Sequence, residues 1–467
     1  MFAALSAGAC GIHTGCAFAQ SYTDIADKRE ISSGSEITTD RIRLQGGHLR
    51  YTTPAVDTLQ SVLEVNSGTI SVATGGTLTV NFEWIDHGAT LNLGAQGDDG
   101  TIVIDRTRLT GASPLPILNI QSGTVTFGNA PGSVLTTVMQ SVAVADGATV
   151  AYGGRDASLS NLSGLGTVDS GGGDLVVRGA FFRGEIQNVA ALTFLQRDAM
   201  LGGALENVGS VAVGSGLRLT VLESGTADDF ASIDSVSLGG GSIFDFTSHN
   251  VQLNNVQGGG TLGTAGTVII NGGNFSSNII TPELIFRGNT TWSGSAGDVS
   301  SVMVSSGATL TTTGGSTFSA ASNLVVDGTY RVAATETIGT LTGAGRVDIG
   351  TGQNLTVGSN NASYTFAGEF SGGGMLIKAG TGTLTLTGTA NHAGGTYISN
   401  GTLVGDAESL AGNIVNNAAL VFDQATDGAF AGNISGGGSL TKSGAGTLTL
   451  KGSSSHTGGT TISAGTL

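Results

Sequence analysis

The side chains that could carry out chemistry are few, and most of them are acidic. They form three clusters: Glu83, Asp86 and His87 beside Trp84; Asp98 and Asp99 before Asp105; and Asp228 and Asp229 before Asp234. Paired carboxylates serve glycoside hydrolases as acid, base or nucleophile, and adjacent Asp side chains offer oxygen ligands to Ca²⁺. No cluster recurs at a regular spacing with a basic partner, and the calcium-binding repeat pattern is missing. We therefore predict solvated loops or turns at all three clusters.

Motifs for nucleophilic, metal-assisted or nucleotide chemistry are also missing. The sequence contains no GxSxG, Walker A, HExxH or CxxC pattern. A GxGxxG pattern occurs at Gly258, Gly260 and Gly263, but neither a helix nor a suitably placed acidic residue follows it. His48 and His249 stand alone, whereas a metal or triad site needs converging partners. The sequence predicts no catalytic residue, no cofactor and no metal, and hence a protein that is not an enzyme.

Composition indicates many short strands joined by tight turns. Glycine accounts for 79 of 467 residues, about 17% against a usual level near 7%. Charged residues are only 11%, yet hydrophobic residues reach 39%, which is too apolar for a disordered chain. The net charge of −16 excludes a basic nucleic-acid surface. No long apolar run is present, so no transmembrane helix is predicted.

The short apolar segments alternate with a period of two. In the segment 382–386, Leu384 and Leu386 share one face, and Thr383 and Thr385 share the other. This period is typical of half-buried strands, and no window shows a helical period. Because a sandwich or a propeller would show hairpins or one uniform period, we predict an all-β fold. Its expected form is a right-handed parallel β-helix (β-solenoid), a single elongated rod with about 20 to 25 residues per coil.

The N-terminal segment has the features of a partial signal peptide. Residues 1–19 are small and apolar and contain both cysteines. They end in Ala17-Phe18-Ala19, an A-x-A pattern that predicts cleavage between Ala19 and Gln20. A positively charged start is missing. The mature chain is expected to lack cysteine and therefore disulfides.

A repeat at the C-terminal end is the strongest signal in the sequence. The segment from Ser371 to Leu403 recurs as Ser435 to Leu467, with 22 of 33 positions identical. We interpret the distance between the two copies as about three coils. The motif positions shared by the two copies are Lys378, Gly380, Gly382, Leu384, Leu386, Gly394 and Gly395, and Lys442, Gly444, Gly446, Leu448, Leu450, Gly458 and Gly459. The glycines are expected at corners that need a positive φ or a close approach of backbones.

These two blocks resemble the autotransporter-associated β-strand repeat, also called the passenger-associated transport repeat. The family usually has an aromatic residue where His392 and His456 stand. The resemblance implies a β-helical passenger of a type V secretion system in a Gram-negative bacterium, secreted or held at the cell surface. It also implies a partner, the outer-membrane barrel translocator, and C-terminal repeats that promote folding-coupled export.

The resulting interpretation is a non-enzymatic, adhesin-like or structural passenger. We expect a signal peptide at 1–19, a β-helix at 20–370, and two repeats at 371–467 that complete the same β-helix. The barrel is expected to lie outside this chain, and an open last coil is expected to promote self-association. No nucleic-acid partner is expected, and the ligand is not apparent. The alternatives are a β-helix carbohydrate-active enzyme and a truncated, inactive remnant of an autotransporter.

Overall fold

The computed structural model describes residues 22–33, 41–84, 90–109, 117–127, 141–222, 229–247, 249–296, 298–314, 318–320 and 322–467. The predicted signal peptide and its cleavage position between Ala19 and Gln20 lie outside the described residues. The chain divides into two compact units, Met1–Ser133 and Val134–Leu467.

The first unit is built from parallel strands that stack apolar side chains in columns. Its described strands are β1 (Tyr22–Ile25), β2 (Lys28–Ile31), β3 (Arg41–Tyr51), β4 (Val56–Val72), β5 (Thr77–Trp84), β6 (Thr90–Leu93), β7 (Thr101–Leu109), β8 (Ile117–Ile120) and β9 (Thr124–Phe127). One column runs through Leu49, Ile70, Leu93 and Ile120, all of which are buried. Successive coils therefore place apolar residues on apolar residues, as the alternation predicts.

The second unit continues this pattern in shorter strands. Its first strands are β10 (Ser141–Val144), β11 (Thr149–Ala151), β12 (Ala157–Leu159), β13 (Leu162–Gly164), β14 (Thr167–Asp169), β15 (Leu175–Val177), β16 (Ala180–Phe182), β17 (Glu185–Phe194), β18 (Ala199–Leu201), β19 (Leu205–Val213), β20 (Arg218–Val221), β21 (Ser235–Leu238), β22 (Ile243–Asp245), β23 (Val251–Leu253), β24 (Val256–Gly258), β25 (Thr261–Gly263), β26 (Thr267–Ile270), β27 (Gly273–Phe275) and β28 (Asn278–Ile280). A 3₁₀ turn, Asp229–Ser232, precedes β21.

The remaining strands of the second unit lead into and include the two repeat copies. They are β29 (Glu283–Phe286), β30 (Thr290–Trp292), β31 (Ser301–Val304), β32 (Thr309–Thr312), β33 (Asn323–Val326), β34 (Thr329–Val332), β35 (Glu336–Thr337), β36 (Thr340–Thr342), β37 (Arg346–Ile349), β38 (Asn354–Val357), β39 (Tyr364–Phe366), β40 (Glu369–Gly372), β41 (Met375–Lys378), β42 (Thr383–Leu386), β43 (Thr396–Ile398), β44 (Thr402–Gly405), β45 (Ile414–Asn416), β46 (Ala419–Asp423), β47 (Gly428–Phe430), β48 (Ile434–Ser435), β49 (Ser439–Ser443), β50 (Leu448–Leu450) and β51 (Thr460–Ile462).

Parallel pairing confirms the predicted β-solenoid. The column that starts at Val142 continues through Leu162, Ala180, Ala199, Leu219, Phe244, Leu262 and Ile279. Within this column the shortest coil step runs from Leu262 to Ile279, and the longest runs from Leu219 to Phe244. The number of residues per coil in this column is mostly at or below the lower end of the predicted range, because the strands are so short. Within the described ranges, no helix is long and apolar enough to cross a membrane.

The interpretation of the repeat distance as about three coils needs a correction. Coil steps lead from Lys378 to Ile398, from Ile398 to Asn416, and from Ile414 to Ile434. Three steps from Lys378 therefore end before Lys442 is reached, so the second copy begins one face further round the solenoid. Accordingly, β41 belongs to the sheet β35-β38-β41-β43-β45-β48, whereas β49 belongs to the neighbouring sheet β39-β42-β44-β46-β49-β51.

Large aromatic side chains fill the interior between β27 and β34. Trp292 is fully buried, and its ring centroid lies 6.1 Å from Phe275 and 5.6 Å from Phe318. Its indole Nε1–H donates a hydrogen bond of 2.8 Å to the carbonyl oxygen of Ser277. Trp292 therefore belongs to the core, and its polar atom is satisfied as burial requires.

The alternation in β42 makes a direct test of the core assignment. Leu384 is fully buried, while its neighbour Thr385 points to the other face and is half-buried. We expect Leu384→Ala to lower the free energy of unfolding by about 2 to 5 kcal/mol, because it leaves a cavity in a packed column. We expect Thr385→Ala to change it by about 0.5 kcal/mol or less. Urea unfolding followed by circular dichroism measures both free-energy changes. Equal changes would show that the assignment of Leu384 to the inner face and Thr385 to the outer face is wrong.

Candidate functional site

Asp98 lies in a buried ion pair, so the prediction of a solvated turn is wrong for this residue, whereas its neighbour Asp99 is exposed. Arg50 holds the Asp98 carboxylate at two points, with 2.8 Å from Nε to Oδ2 and 2.6 Å from Nη2 to Oδ1. Ser71 Oγ donates a further hydrogen bond of 2.6 Å to Oδ2. Arg50 and Ser71 hold the pKa of Asp98 below its usual value although burial opposes them. The carboxylate is therefore occupied by protein groups and does not offer the Ca²⁺ ligand considered from the sequence.

His48 joins this cluster but does not make a catalytic triad of it. Its Nε2 lies 2.7 Å from Ser71 Oγ, so Ser71 stands between the imidazole and the carboxylate. In a working triad the imidazole stands between the hydroxyl and the carboxylate and can take the hydroxyl proton. Ser71 is also fully buried and already donates its proton to Asp98. Burial lowers the pKa of His48. The geometry ties strands together and leaves no accessible nucleophile.

The other candidate residues show no convergent chemistry where the structure describes them. Asp86, His87 and Asp228 lie outside the described residues. Asp234 is exposed, and its backbone carbonyl accepts a hydrogen bond of 2.9 Å from Asn255 Nδ2. The glycines of the GxGxxG pattern lie in and between β24 and β25, and a strand follows where nucleotide binding needs a helix. Within the described ranges, no three His, Cys, Asp or Glu side chains group as metal ligands.

The repeat lysines occupy inward-facing core positions. In β41, Leu376 and Lys378 point inward, and Lys378 stacks between Val357 and Ile398. Lys442 likewise stacks between Phe422 and Ile462. Both lysine side chains are fully buried. The chain has only four lysines, so half of them are used in this way, and the interior must supply partners for both charges.

Three backbone carbonyls receive each ammonium group. Lys378 Nζ donates hydrogen bonds to the carbonyl oxygens of Ala379 at 2.6 Å, Gly380 at 3.0 Å and Asn400 at 3.4 Å. Two of these acceptors lie at the corner after β41, and the third lies at the corner after β43, one coil further on. Each lysine therefore joins two successive coils, and we call this arrangement the lysine tie.

The second copy reproduces the tie at the equivalent positions. Lys442 Nζ donates to the carbonyl oxygens of Ser443 at 2.7 Å, Gly444 at 2.9 Å and Ala464 at 3.2 Å. The two copies lie on neighbouring faces of the solenoid and still have the same contacts. The tie is thus a property of the repeat itself rather than of its place in the stack.

Glycine makes the corner possible. Gly380 and Gly444 have φ values of 65° and 75°, which turn their carbonyls toward the ammonium group. At Gly401, a Cβ atom would clash with the Gly380 oxygen and lie 2.9 Å from Lys378 Nζ, so no other residue fits. Motif positions Gly382 and Gly446 are restricted by close contacts with neighbouring backbone. Both reasons expected for the motif glycines are therefore found.

Of the remaining motif positions, Leu384 and Leu448 are buried in the core. Leu386 is also buried, while Leu450 is half-buried. Gly395 and Gly459 have positive φ values, and a Cβ atom at Gly394 or Gly458 would meet the backbone of the preceding coil. The glycines therefore shape the corners before β43 and β51.

Sequence reasoning selected the lysines but not their role. Burial lowers the pKa of Lys378, and the three carbonyl dipoles offset that cost by stabilising the charged form. The signal that could have revealed the role is the alternation Met375-Leu376-Ile377-Lys378, which places the lysine in phase with the core.

Each repeat also contains a histidine, which is buried in the first copy and half-buried in the second. His392 Nε2 lies 3.1 Å from Thr396 Oγ1, and its ring packs edge-on against Phe370 with centroids 5.8 Å apart. His456 Nε2 makes the equivalent contact of 2.9 Å with Thr460 Oγ1. Burial lowers the pKa of His392, so the neutral imidazole fills the place that the family usually gives to an aromatic ring.

The lysine tie predicts a large cost for Lys378→Met. Methionine fills the space but leaves three buried carbonyls without their charged donor, which we expect to cost about 2 to 4 kcal/mol of unfolding free energy. Lys451→Met is the matched control, because Lys451 is exposed, and its expected change is about 0.5 kcal/mol or less. Urea unfolding compares the two, and a Lys378→Met protein as stable as the control would contradict the tie.

The buried histidine predicts a loss of stability in acid. The pKa of His392 in the folded protein lies below its ordinary value of 6.5, so the folded state binds protons less readily than the unfolded chain. The stability that the neutral imidazole contributes is fully present above pH 6.5. It is lost as the pH falls through the lower pKa of the folded state. Between about pH 7.5 and pH 5 we expect the unfolding free energy of the parent protein to fall more than that of His392→Phe, by up to about 1.4 kcal/mol per unit of pKa difference. Parallel slopes would contradict this assignment.

Comparisons of the sequence with known proteins match the same two repeats. The family model of the passenger-associated transport repeat matches residues 376–404 and 440–467, which contain both lysine ties. The chain is 32% identical over 420 residues to the "Adhesin BmaC autotransporter" of Brucella suis biovar 1 (strain 1330). That alignment covers 81% of this chain but only 12% of the relative's length. No solved structure shows a significant match.

The parallel β-solenoid provides the architecture, and the repeats recur in it with the same buried contacts. The similarity to an autotransporter extends well beyond the repeats. The two repeats belong to the passenger-associated transport repeat family, and most of the chain is similar to an autotransporter adhesin.

Proposed function

We propose that this chain is an adhesin-like, non-enzymatic surface passenger whose C-terminal repeats promote its own export by folding. The observation that carries the proposal is the lysine tie, which recurs with the same three kinds of contact in both repeats. It adds an interaction between coils at each repeat, in addition to apolar burial.

The export role follows from the way a solenoid gains stability. Each coil contacts only its neighbours, so its folding free energy becomes available as soon as it stacks on the next coil. No ATP is available outside the outer membrane, and a folded coil cannot slide back through a narrow channel. Tying Asn400 to Lys378, and Ala464 to Lys442, strengthens coil stacking at the C-terminal end. In an autotransporter the segment nearest the barrel emerges first, so a strong tie there would start the stack.

The adhesin-like role is supported by the named relative and by the surface chemistry. The relative is called an adhesin. The Asp98 carboxylate, which lies beside Ser71 and His48, is bound by Arg50, and the outer strand positions are rich in Thr and Ser. A surface of this kind suits binding through many weak contacts rather than catalysis.

Location, partners and boundaries complete the proposal. We infer cleavage between Ala19 and Gln20, a passenger that becomes exposed at the cell surface of a Gram-negative bacterium, and an outer-membrane barrel as the partner for export. The division into residues 20–370 and 371–467 stays a prediction. Self-association of the isolated chain also stays a prediction. The half-exposed apolar side chain of Ile462 on β51 is the feature that would favour it.

Export from cells tests the role of the ties. In the full-length gene of the native bacterium, we expect Lys378→Met combined with Lys442→Met to lower the protease-accessible passenger at the surface at least about threefold, since each substitution is expected to cost about 2 to 4 kcal/mol, which is several times RT. Undelivered passenger should accumulate in the periplasm of a protease-deficient strain. Lys451→Met serves as the control. Unchanged surface display of the double variant would overturn the export role.

A further inference from the structure

On one outer face of the second unit, a line of outward positions across the strands begins and ends with an exposed apolar side chain. The outward positions of β16, β18, β20, β22, β25 and β28 stack in register, and they hold Phe181, Met200, Thr220, Asp245, Gly263 and Ile280. Phe181 is 56% exposed and Ile280 is 50% exposed. Five coil steps at the usual strand spacing make this line about 24 Å long. We call it the outer column.

A cleft interrupts the outer column at Gly263. It has a volume of about 480 Å³, and its lining includes Arg218, Ile243, Asp245, Thr261 and Ile280. A Cβ atom at Gly263 would meet nothing within 4 Å, so the missing side chain leaves open space between Asp245 and Ile280. The volume and the mixture of apolar and polar groups are those of ligand-binding clefts.

The polar groups of the cleft form a compensated pair. Arg218 Nη1 donates to Asp245 Oδ2 at 2.8 Å, and the two side chains are 47% and 28% exposed. The pair presents donors and an acceptor to solvent with no net charge. Such a pair recognises hydroxyl groups and gives no preference to an anion or a cation.

The backbone of this face is closed to an incoming strand. The central strands of the column, β18, β20, β22 and β25, each pair with a neighbour on both sides. A peptide could therefore not bind by adding a strand, since that mode needs a free sheet edge. What the face offers is apolar side chains toward its two ends, Phe181 and Met200 at one and Ile280 at the other, with polar groups between them.

We propose that the outer column binds a neutral, linear hexopyranose polysaccharide that lies across the strands. The apolar faces of its sugar rings stack on Phe181, Met200 and Ile280, and one unit enters the cleft at Gly263. The hydroxyl groups of that unit bind the Arg218–Asp245 pair and Thr261. This inference rests on the adhesin-like role and gives it a class of ligand.

Binding of defined oligosaccharides to the purified chain tests the proposal. The probes are cellohexaose and chitohexaose, with a hexamer of galacturonate as the anionic comparison, each titrated by calorimetry. We expect a neutral hexamer to bind more tightly than its trimer, and the anionic hexamer to bind more weakly. Phe181→Ala should weaken binding about tenfold, which corresponds to about 1.4 kcal/mol of lost stacking.

Filling the cleft provides a second variant that keeps the fold. Gly263→Leu should weaken binding at least about tenfold, because the new side chain occupies the place of a sugar ring. Gly240→Leu is its matched control, since a Cβ atom there also meets nothing within 4 Å. Val56→Ala removes an exposed apolar side chain elsewhere and controls for Phe181→Ala. Both controls should bind as the parent does.

The proposal is overturned if no neutral hexamer binds at millimolar concentration, if only the anionic hexamer binds, or if Gly263→Leu binds as Gly240→Leu does. Because these measurements use the purified chain, they are separate from the export assay in cells. A passenger that is exported normally but binds no glycan would contradict polysaccharide binding by the outer column and leave the export role intact.

Discussion

The structure depends on stacking each strand residue on the equivalent residue of the next coil. Parallel ladders fix that register, so an inward leucine meets another apolar residue above and below it, as Leu162 does between Val142 and Ala180. The strands are only a few residues long, and corners therefore make up much of each coil. At the corners the backbone turns inward, carbonyl groups approach the core, and there is little room for side chains. The repeats solve that problem with glycine and a buried ammonium group.

A lysine in an apolar column is costly unless its three donors find acceptors. The corners after β41 and β43 supply them for Lys378, and the equivalent corners do so for Lys442. No carboxylate is needed, so the repeat is independent of what lies on the neighbouring faces. This explains how the second copy can lie one face further round the solenoid and keep its contacts.

The strands and their inward residues could be predicted from the alternation and the glycine content, and Leu384 is an example. Contacts between distant residues could not. Asp98 meets Arg50 from a distant part of the sequence, and only the stacking register brings them together. The outer column was also invisible, because the coil steps differ in length and no fixed period aligns Phe181 with Ile280. The inward position of Lys378 could have been predicted from the alternation of its strand. It was not, because lysine is rarely found in protein interiors.

The most direct test of the lysine tie is nuclear magnetic resonance of the side-chain ammonium groups in protein labelled with ¹⁵N at lysine. Only four lysines are present, Lys28, Lys378, Lys442 and Lys451, and variants assign each signal. Fully buried, hydrogen-bonded ammonium protons exchange slowly with water, whereas those of exposed lysines exchange too fast to be seen at neutral pH. We predict slowly exchanging Nζ signals from Lys378 and Lys442, and no Nζ signals from Lys28 and Lys451. Rapid exchange at all four lysines would contradict it.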